Sequence, residues 1–215
     1  MKAIIGYTGT IGKHLCEQIV FDDFYNSKNI NEIHNKTYEL LIIAAPSGNR
    51  LRINRQEEKD KVDELMEHLK HCSADKIVLI SSVDAVLNPD SIYGKNRKIL
   101  EDFVNNNFNA TILRLATLIG TGIKKNIAYD LKHQQYNFIN TQSTLQWSLL
   151  RTLGIHIDKT GIVNLVSEPI LNKDIVDTFF PNLKLKECNA SHQYKMKPYL
   201  YTKQEVLNEI ERYLK

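Results

Sequence analysis

The chain has 215 residues, 42% of them hydrophobic and 25% charged, a size and balance that can bury one substantial core with a small appended lobe. Its 28 basic and 25 acidic side chains leave a net charge of +3 spread along the whole length, so no arm or stripe is laid out to track nucleic-acid phosphates. No apolar run approaches the roughly 20 residues that a membrane-spanning helix needs, and the first residues lack the layout of a signal peptide, so a cytoplasmic protein with no membrane partner is expected.

Residues 2–6 form a short apolar run that ends at glycine and leads into a helix from about Ile11. Apolar runs at residues 39–45, 76–81 and 110–115 fit buried parallel strands, because crossover helices cover both faces of such a sheet and remove the polar alternation. Val62, Leu65, Met66 and Leu69 recur at helical spacing between the first two runs, and Leu100, Phe103 and Val104 between the last two. This alternation predicts right-handed crossovers and an α/β fold with a doubly wound parallel sheet.

Beyond residue 120 the pattern loosens. The spacing predicts a helix through Ile127 and Leu131, another through Leu145, Leu149 and Leu153, and a strand at residues 161–166. A helix around Ile175 ends at Pro181, and a closing helix carries Val206, Ile210 and Tyr213 on one face. One domain over residues 1–215 is expected, with a reduced C-terminal lobe formed mainly by residues 120–160 and 167–215.

Gly6, Gly9 and Gly12 lie between the first strand and the first helix. Glycines there allow a tight turn, close backbone approach to a pyrophosphate and close packing of helix on strand, while the helix N-terminus offers N–H groups and a positive dipole end. A dinucleotide site built from Gly6, Thr8, Gly9, Thr10, Ile11 and Gly12 is the expectation, with a merely structural glycine turn as the alternative.

Other features point to no chemistry. Cys16, Cys72 and Cys188 lack metal-ligand spacing and are expected as buried reduced thiols, and the seven histidines, expected at the surface, show no H-E-x-x-H spacing, so no metal is expected. Residues 55–67 alternate charge and fit a solvated helix face. Asp22 and Asp23 are expected as solvated loop residues, and Trp147 in packing.

The chain resembles the extended short-chain dehydrogenase/reductase family, the NAD(P)-dependent nucleotide-sugar epimerases and dehydratases. The resemblance rests on the Gly-x-x-Gly-x-x-Gly spacing at Gly6, Gly9 and Gly12, on Leu41-Ile42-Ile43-Ala44-Ala45, and on Ile80-Ser81-Ser82-Val83-Asp84. It continues through Tyr93-Gly94-Lys95-Asn96-Arg97, Leu113-Arg114-Leu115 with Gly120-Thr121-Gly122, and the stretch from Asn164 to Ile170, so it covers most of the chain. It implies a Rossmann-like fold and a catalytic tyrosine, lysine and serine or threonine. Tyr93 stands at the tyrosine position as general acid or base. Arg97 stands at the lysine position, a cation of different shape that still hydrogen-bonds a ribose. Val83 stands at the hydroxyl position, with Ser82 and Asp84 as neighbours that could substitute.

For the cofactor, NAD or NADP, the resemblance adds Ala44, Ala45, Pro46 and Ser81 beside the nicotinamide ribose, and Asn26, Ser27 and Lys28 at the end of the second strand. Asn26 follows Gly12 by only about fourteen residues, where the usual fingerprint places a ribose-binding acid about 20 residues on. The first crossover is therefore short, and the absence of a carboxylate favours NADP slightly over NAD. Lys124, Lys125 and Asn126 are candidates for a nucleotide-sugar diphosphate, or equally the start of a surface helix. The resemblance also implies a possible homodimer through the tyrosine-bearing helix, where Ile99 and Phe103 serve core or interface. Three functions follow: an epimerase, dehydratase or reductase acting on a sugar or nucleotide-sugar, a catalytically silent nucleotide- or partner-binding module on the same fold, or a cofactor-free protein whose crevice serves another ligand.

Overall fold

The computed structural model describes residues 1–46, 55–185 and 192–215. The chain forms two compact units, Met1–Arg114 with Arg151–Val163, and Leu115–Leu150 with Asn164–Lys215.

The first unit opens with β1 (Lys2–Ile5), α1 (Thr10–Gln18), β2 (Asp23–Tyr25) and β3 (Thr37–Ile43). It continues through α2 (Arg55–Leu69), β4 (Ser73–Ser82), α3 (Asp84–Leu87), α4 (Ile92–Asn107) and β5 (Ala110–Leu115). In the second unit lie β6 (Thr117–Ile119), α5 (Ile127–Lys132), β7 (Thr144–Leu145) and β8 (Trp147–Leu149). After β9 (Gly161–Leu165), the sixth strand of the central sheet, come β10 (Ile170–Leu171), α6 (Asn172–Phe179) and α7 (Lys203–Leu214).

The sheet runs β2-β1-β3-β4-β5-β9, and β1 pairs in parallel with both β2 and β3, Ile4 standing opposite Phe24 on one side and Ile42 on the other. The expected doubly wound Rossmann-like α/β fold is therefore the fold observed. Ile4, Leu41, Ile42, Ile43, Ile77 and Val78 are each 0% exposed, which explains the continuous apolar runs of the strands. Burying each such side chain contributes about 1.5–3 kcal/mol. The order reverses between β1 and β3, and at such a switch point the carboxyl ends of the strands open a crevice. Gly6 lies there.

Three expectations need correction. The leucine spacing at Leu145, Leu149 and Leu153 gives no helix but β7, β8 and a 3-10 segment, Leu150–His156. Strand pairing wins because the intervening polar side chains hold backbone groups: Gln146 Nε2 donates to Ser167 O and Met196 O, each at 2.8 Å, and Ser148 Oγ accepts from Ala116 N. Asp23 is no loop residue: it begins β2 and its Oδ2 accepts from Lys36 Nζ, Tyr25 Oη and Tyr38 Oη at 2.8–2.9 Å. The Lys36 ammonium and then the Tyr38 hydroxyl hold its carboxyl below the usual range. The histidines are not all at the surface, since His14 and His156 are buried and His34 Nε2 meets His68 Nδ1 at 2.9 Å.

Trp147 is fully buried. Cys16 and Cys72 carry free, half-buried thiols, Cys72 pushed up to about 11 by burial, and Cys188 lies outside the described residues. Among the described residues no group of three or more histidine, cysteine or acidic side chains is arranged to hold a metal ion, and no helix is long and apolar enough to cross a membrane.

Candidate functional site

All the candidate site residues except Lys124, Lys125 and Asn126 belong to the first unit. The three glycines of the β1–α1 turn do different work. Gly6 has φ +90°, and a Cβ there would stand 2.6 Å from Ala44 O. A Cβ on Gly12 would stand 2.1 Å from Gly6 O and 2.7 Å from the Tyr7 Cα, so helix and turn are in backbone contact. At Gly9 a Cβ would meet only Gly6 O, at 3.4 Å, an ordinary contact. Gly6 and Gly12 are needed by the fold, and Gly9 faces space.

Gly9 is the N-cap of α1 and makes no side-chain capping bond; the first helical bond runs from Lys13 N to Gly9 O at 2.9 Å. The N–H groups of Thr10, Ile11 and Gly12 thus precede the helical ladder and form an uncapped, positively polarised helix start beside exposed Thr8 and Thr10. The cradle fits a pyrophosphate.

At the end of β2, Asn26 Oδ1 accepts from Lys28 N at 2.8 Å and Asn26 Nδ2 donates to Tyr7 Oη at 3.2 Å, while Ser27 and Lys28 are exposed. Tyr7 is not singled out by the glycine spacing; its signal in the sequence is a bulky aromatic inside a glycine-rich turn. Its ring meets Phe24 edge to face at 5.6 Å between centroids. Beside it opens a cleft of about 730 Å³ lined by Tyr7, Thr8, Lys13, Cys16, Glu17 and Phe24.

On α4, Tyr93, Arg97 and Glu101 follow one another at spacings of four and so share a face. Gly94 makes the approach of this helix possible, since a Cβ there would stand 2.1 Å from Asn88 O and 2.5 Å from Asp84 O. The N-cap is Ser91, whose Oγ accepts from Gly94 N at 3.0 Å. Tyr93 is half-buried, with the Arg97 guanidinium carbon 4.9 Å from its ring centroid. Arg97 is 4% exposed; its Nη2 donates to Pro46 O at 2.6 Å and stands 3.9 Å from Glu58 Oε1.

Glu58 corrects the expectation of a wholly solvated charged face on α2, for it is 3% exposed. The signal was present: Glu58 lies four residues before Val62, on the stripe continued by Leu65 and Leu69. Ala44 and Ala45 are half-buried just past β3, Ala44 N donating to Ile5 O at 2.8 Å.

Ser81 Oγ donates to Glu101 Oε1 at 2.6 Å, and Glu101 is further gripped by Arg114 through Nε at 3.0 Å and Nη2 at 2.6 Å, all in the interior. The Ser81 hydroxyl is thus committed to this network. Val83 is 2% exposed. Beside it, Asp84 N donates to Ser82 Oγ at 3.2 Å, and Asn88 Nδ2 donates to Asp84 Oδ1, so Ser82, the last residue of β4, and Asp84, the first of α3, are buried and joined.

In the second unit Lys124 and Lys125 are exposed. Asn126, at φ +121°, caps α5: its Oδ1 accepts from Tyr129 N at 3.0 Å and its Nδ2 donates to Leu118 O at 2.6 Å.

No protein-family model and no curated protein sequence matches the chain. Solved structures do match in fold. A UDP-galactose 4-epimerase superposes with a TM-score of 0.68 at 13% identity, over 96% of this chain and 92% of that one. The UDP-glucuronic acid 4-epimerase of Bacillus cereus, in complex with NAD, gives 0.67 at 15% identity over 99% and 91%. The Bordetella bronchiseptica enzyme WbmH, in complex with NAD+, gives 0.65 at 10% identity over 99% and 95%. The chain therefore shares the fold of these enzymes, two of them UDP-sugar 4-epimerases.

Proposed function

We propose that the chain, on a fold shared with NAD-binding epimerases, binds NAD(P) along the carboxyl ends of β1 and β3 and acts on a sugar or nucleotide-sugar as an epimerase, dehydratase or reductase. The observation that carries this reading is the turn at Gly6, Gly9 and Gly12, closed to a Cβ at its two ends and open at Gly9 beside an uncapped helix start. The N–H groups of Thr10, Ile11 and Gly12, with Thr8, hold the pyrophosphate. Ala44, Ala45 and Pro46 border the nicotinamide ribose, and Asn26, Ser27 and Lys28 meet the adenosine ribose. With no carboxylate among those three, NADP is favoured over NAD. When bound, the nicotinamide supplies the hydride acceptor and donor.

Tyr93 gives and takes the proton at its Oη, with the Arg97 guanidinium packed over its ring. Because Arg97 spends one donor on Pro46 O, it orients the turn that borders the ribose as well. Ser82 and Asp84 serve the reacting oxygen in place of Val83. Lys124, Lys125 and Asn126 take the diphosphate of the sugar nucleotide. The same reading places the protein in the cytoplasm and pairs two copies through α4.

The test is a thermal-shift and calorimetric titration with NAD(H), NADP(H) and nucleotide-sugars, on the wild type and on Gly9→Val. A dinucleotide should raise the melting temperature of the wild type and fail to bind the variant, whose side chain fills the open space. No response in the wild type rejects the reading, and full binding by Gly9→Val rejects the cradle. Dinucleotide binding without turnover of any sugar substrate assigns the silent binding module instead.

A further inference from the structure

Resting on the dinucleotide reading, the geometry points to Tyr7 as the residue that sets cofactor specificity: with Asn26 it presents hydrogen-bond donors to a phosphate on the adenosine ribose. The argument begins with the orientation of the Asn26 amide. Its Oδ1 accepts the Lys28 backbone N–H at 2.8 Å, which only an oxygen can do, so the amide nitrogen faces Tyr7. The Tyr7 oxygen, 3.2 Å away, is thereby the acceptor, and its own proton is left to donate elsewhere. Among the described residues no acceptor takes that proton or the second Asn26 N–H. A pair of donors therefore stands where the usual fingerprint has a carboxylate, which would accept from a ribose hydroxyl and repel a phosphate.

The ring of Tyr7 is held for this purpose, edge to face on Phe24 at 5.6 Å. The charges around it favour an anion. Lys28 is exposed two residues past Asn26, and Lys13 lines the cleft with Tyr7 and Thr8. Among the described residues the carboxylate lining that cleft is Glu17, which faces His14 Nδ1 at 3.5 Å. Asp22 and Asp23 are committed to Lys2 N and to Lys36.

The test is calorimetry with four probes, NADP+, NAD+, 2′,5′-ADP and 5′-AMP, on the wild type, Tyr7→Phe and Asn26→Asp. The wild type should hold the 2′-phosphorylated member of each pair about tenfold or more tighter, as a hydrogen bond to a charged group warrants. Tyr7→Phe, which keeps the ring on Phe24, should lose most of that ratio with the affinity for NAD+ unchanged, and Asn26→Asp should invert it. Equal or tighter binding of the unphosphorylated probes by the wild type, or an unchanged ratio in Tyr7→Phe, overturns the assignment of Tyr7 while leaving the dinucleotide site in place. Failure of the wild type to bind any of the four overturns both.

Discussion

Arg97 donates from Nη2 to the Pro46 carbonyl at 2.6 Å, and so ties the helix that carries Tyr93 to the turn that leaves β3. The same guanidinium stands 3.9 Å from buried Glu58 on α2, so three elements meet at one cation. Replacing Arg97 with methionine removes the cation and leaves the Glu58 carboxylate buried without its partner. The expected loss is about 3–5 kcal/mol, read from urea unfolding, and the joint replacement Glu58→Gln with Arg97→Met should recover much of it. A loss below the scatter of the method would mean that the pair is solvated.

Glu101 and Arg114 form a second buried pair on the same helix, two-pronged and backed by Ser81. Glu101→Ala should cost a similar amount, about 3–5 kcal/mol, because it strands a guanidinium in the interior. Ser81→Ala removes only one neutral donor and should cost about 1 kcal/mol. Chemical denaturation of both variants checks the order, which would be reversed if Ser81 were the anchor.

The glycines separate folding from binding. Gly12→Ala and Gly94→Ala each press a methyl group onto backbone 2.1 Å away and should lose about 1–3 kcal/mol or more. Gly9→Ala, with its nearest neighbour at 3.4 Å, should leave stability within about 0.5 kcal/mol. Melting temperatures of the three variants without ligand give the comparison.

If Tyr93 is the acid/base as proposed, Tyr93→Phe should abolish turnover of a nucleotide-sugar and spare dinucleotide affinity, since the substitution removes a proton-transferring hydroxyl and no proposed cofactor contact. Steady-state rates and calorimetry on the same preparation test this. An unaltered rate removes Tyr93 from the chemistry.

Asp130 on α5 supplies a pH dependence. Burial is the main cause that lifts its carboxyl from the ordinary 3.8 to about 6, with nearby His133 opposing. A raised carboxyl favours the folded state below the unfolded value and loses that contribution as pH rises through about 6. Asp130→Asn should therefore raise the melting temperature at pH 7.5 and change it little at pH 3.5. A gain of equal size at both values would show that the effect is not ionisation.

Much of this protein could be reasoned out from residue order. The apolar runs of β1, β3, β4 and β5, the glycines before α1 and the place of Tyr93 on α4 are local patterns, since each depends on which neighbours a residue has along one strand or one turn of helix. The short first crossover was legible for the same reason, by counting from Gly12 to Asn26. Other features belong to contacts between segments far apart in the chain. Leu145, Leu149 and Leu153 carry helical spacing, yet Gln146 and Ser148 find backbone partners elsewhere, and their bonds outweigh a propensity that is weak per residue. Glu58 stands on the apolar stripe of α2, but the partner that compensates its charge, Arg97, arrives from a helix thirty-nine positions later. Tyr7 and Asn26, nineteen residues apart, become a donor pair only when β1 and β2 lie side by side. Periodicity reports which face of an element is buried. Which polar groups are buried together, and therefore which charges and donors survive to meet a ligand, is decided by the packing of one element on another.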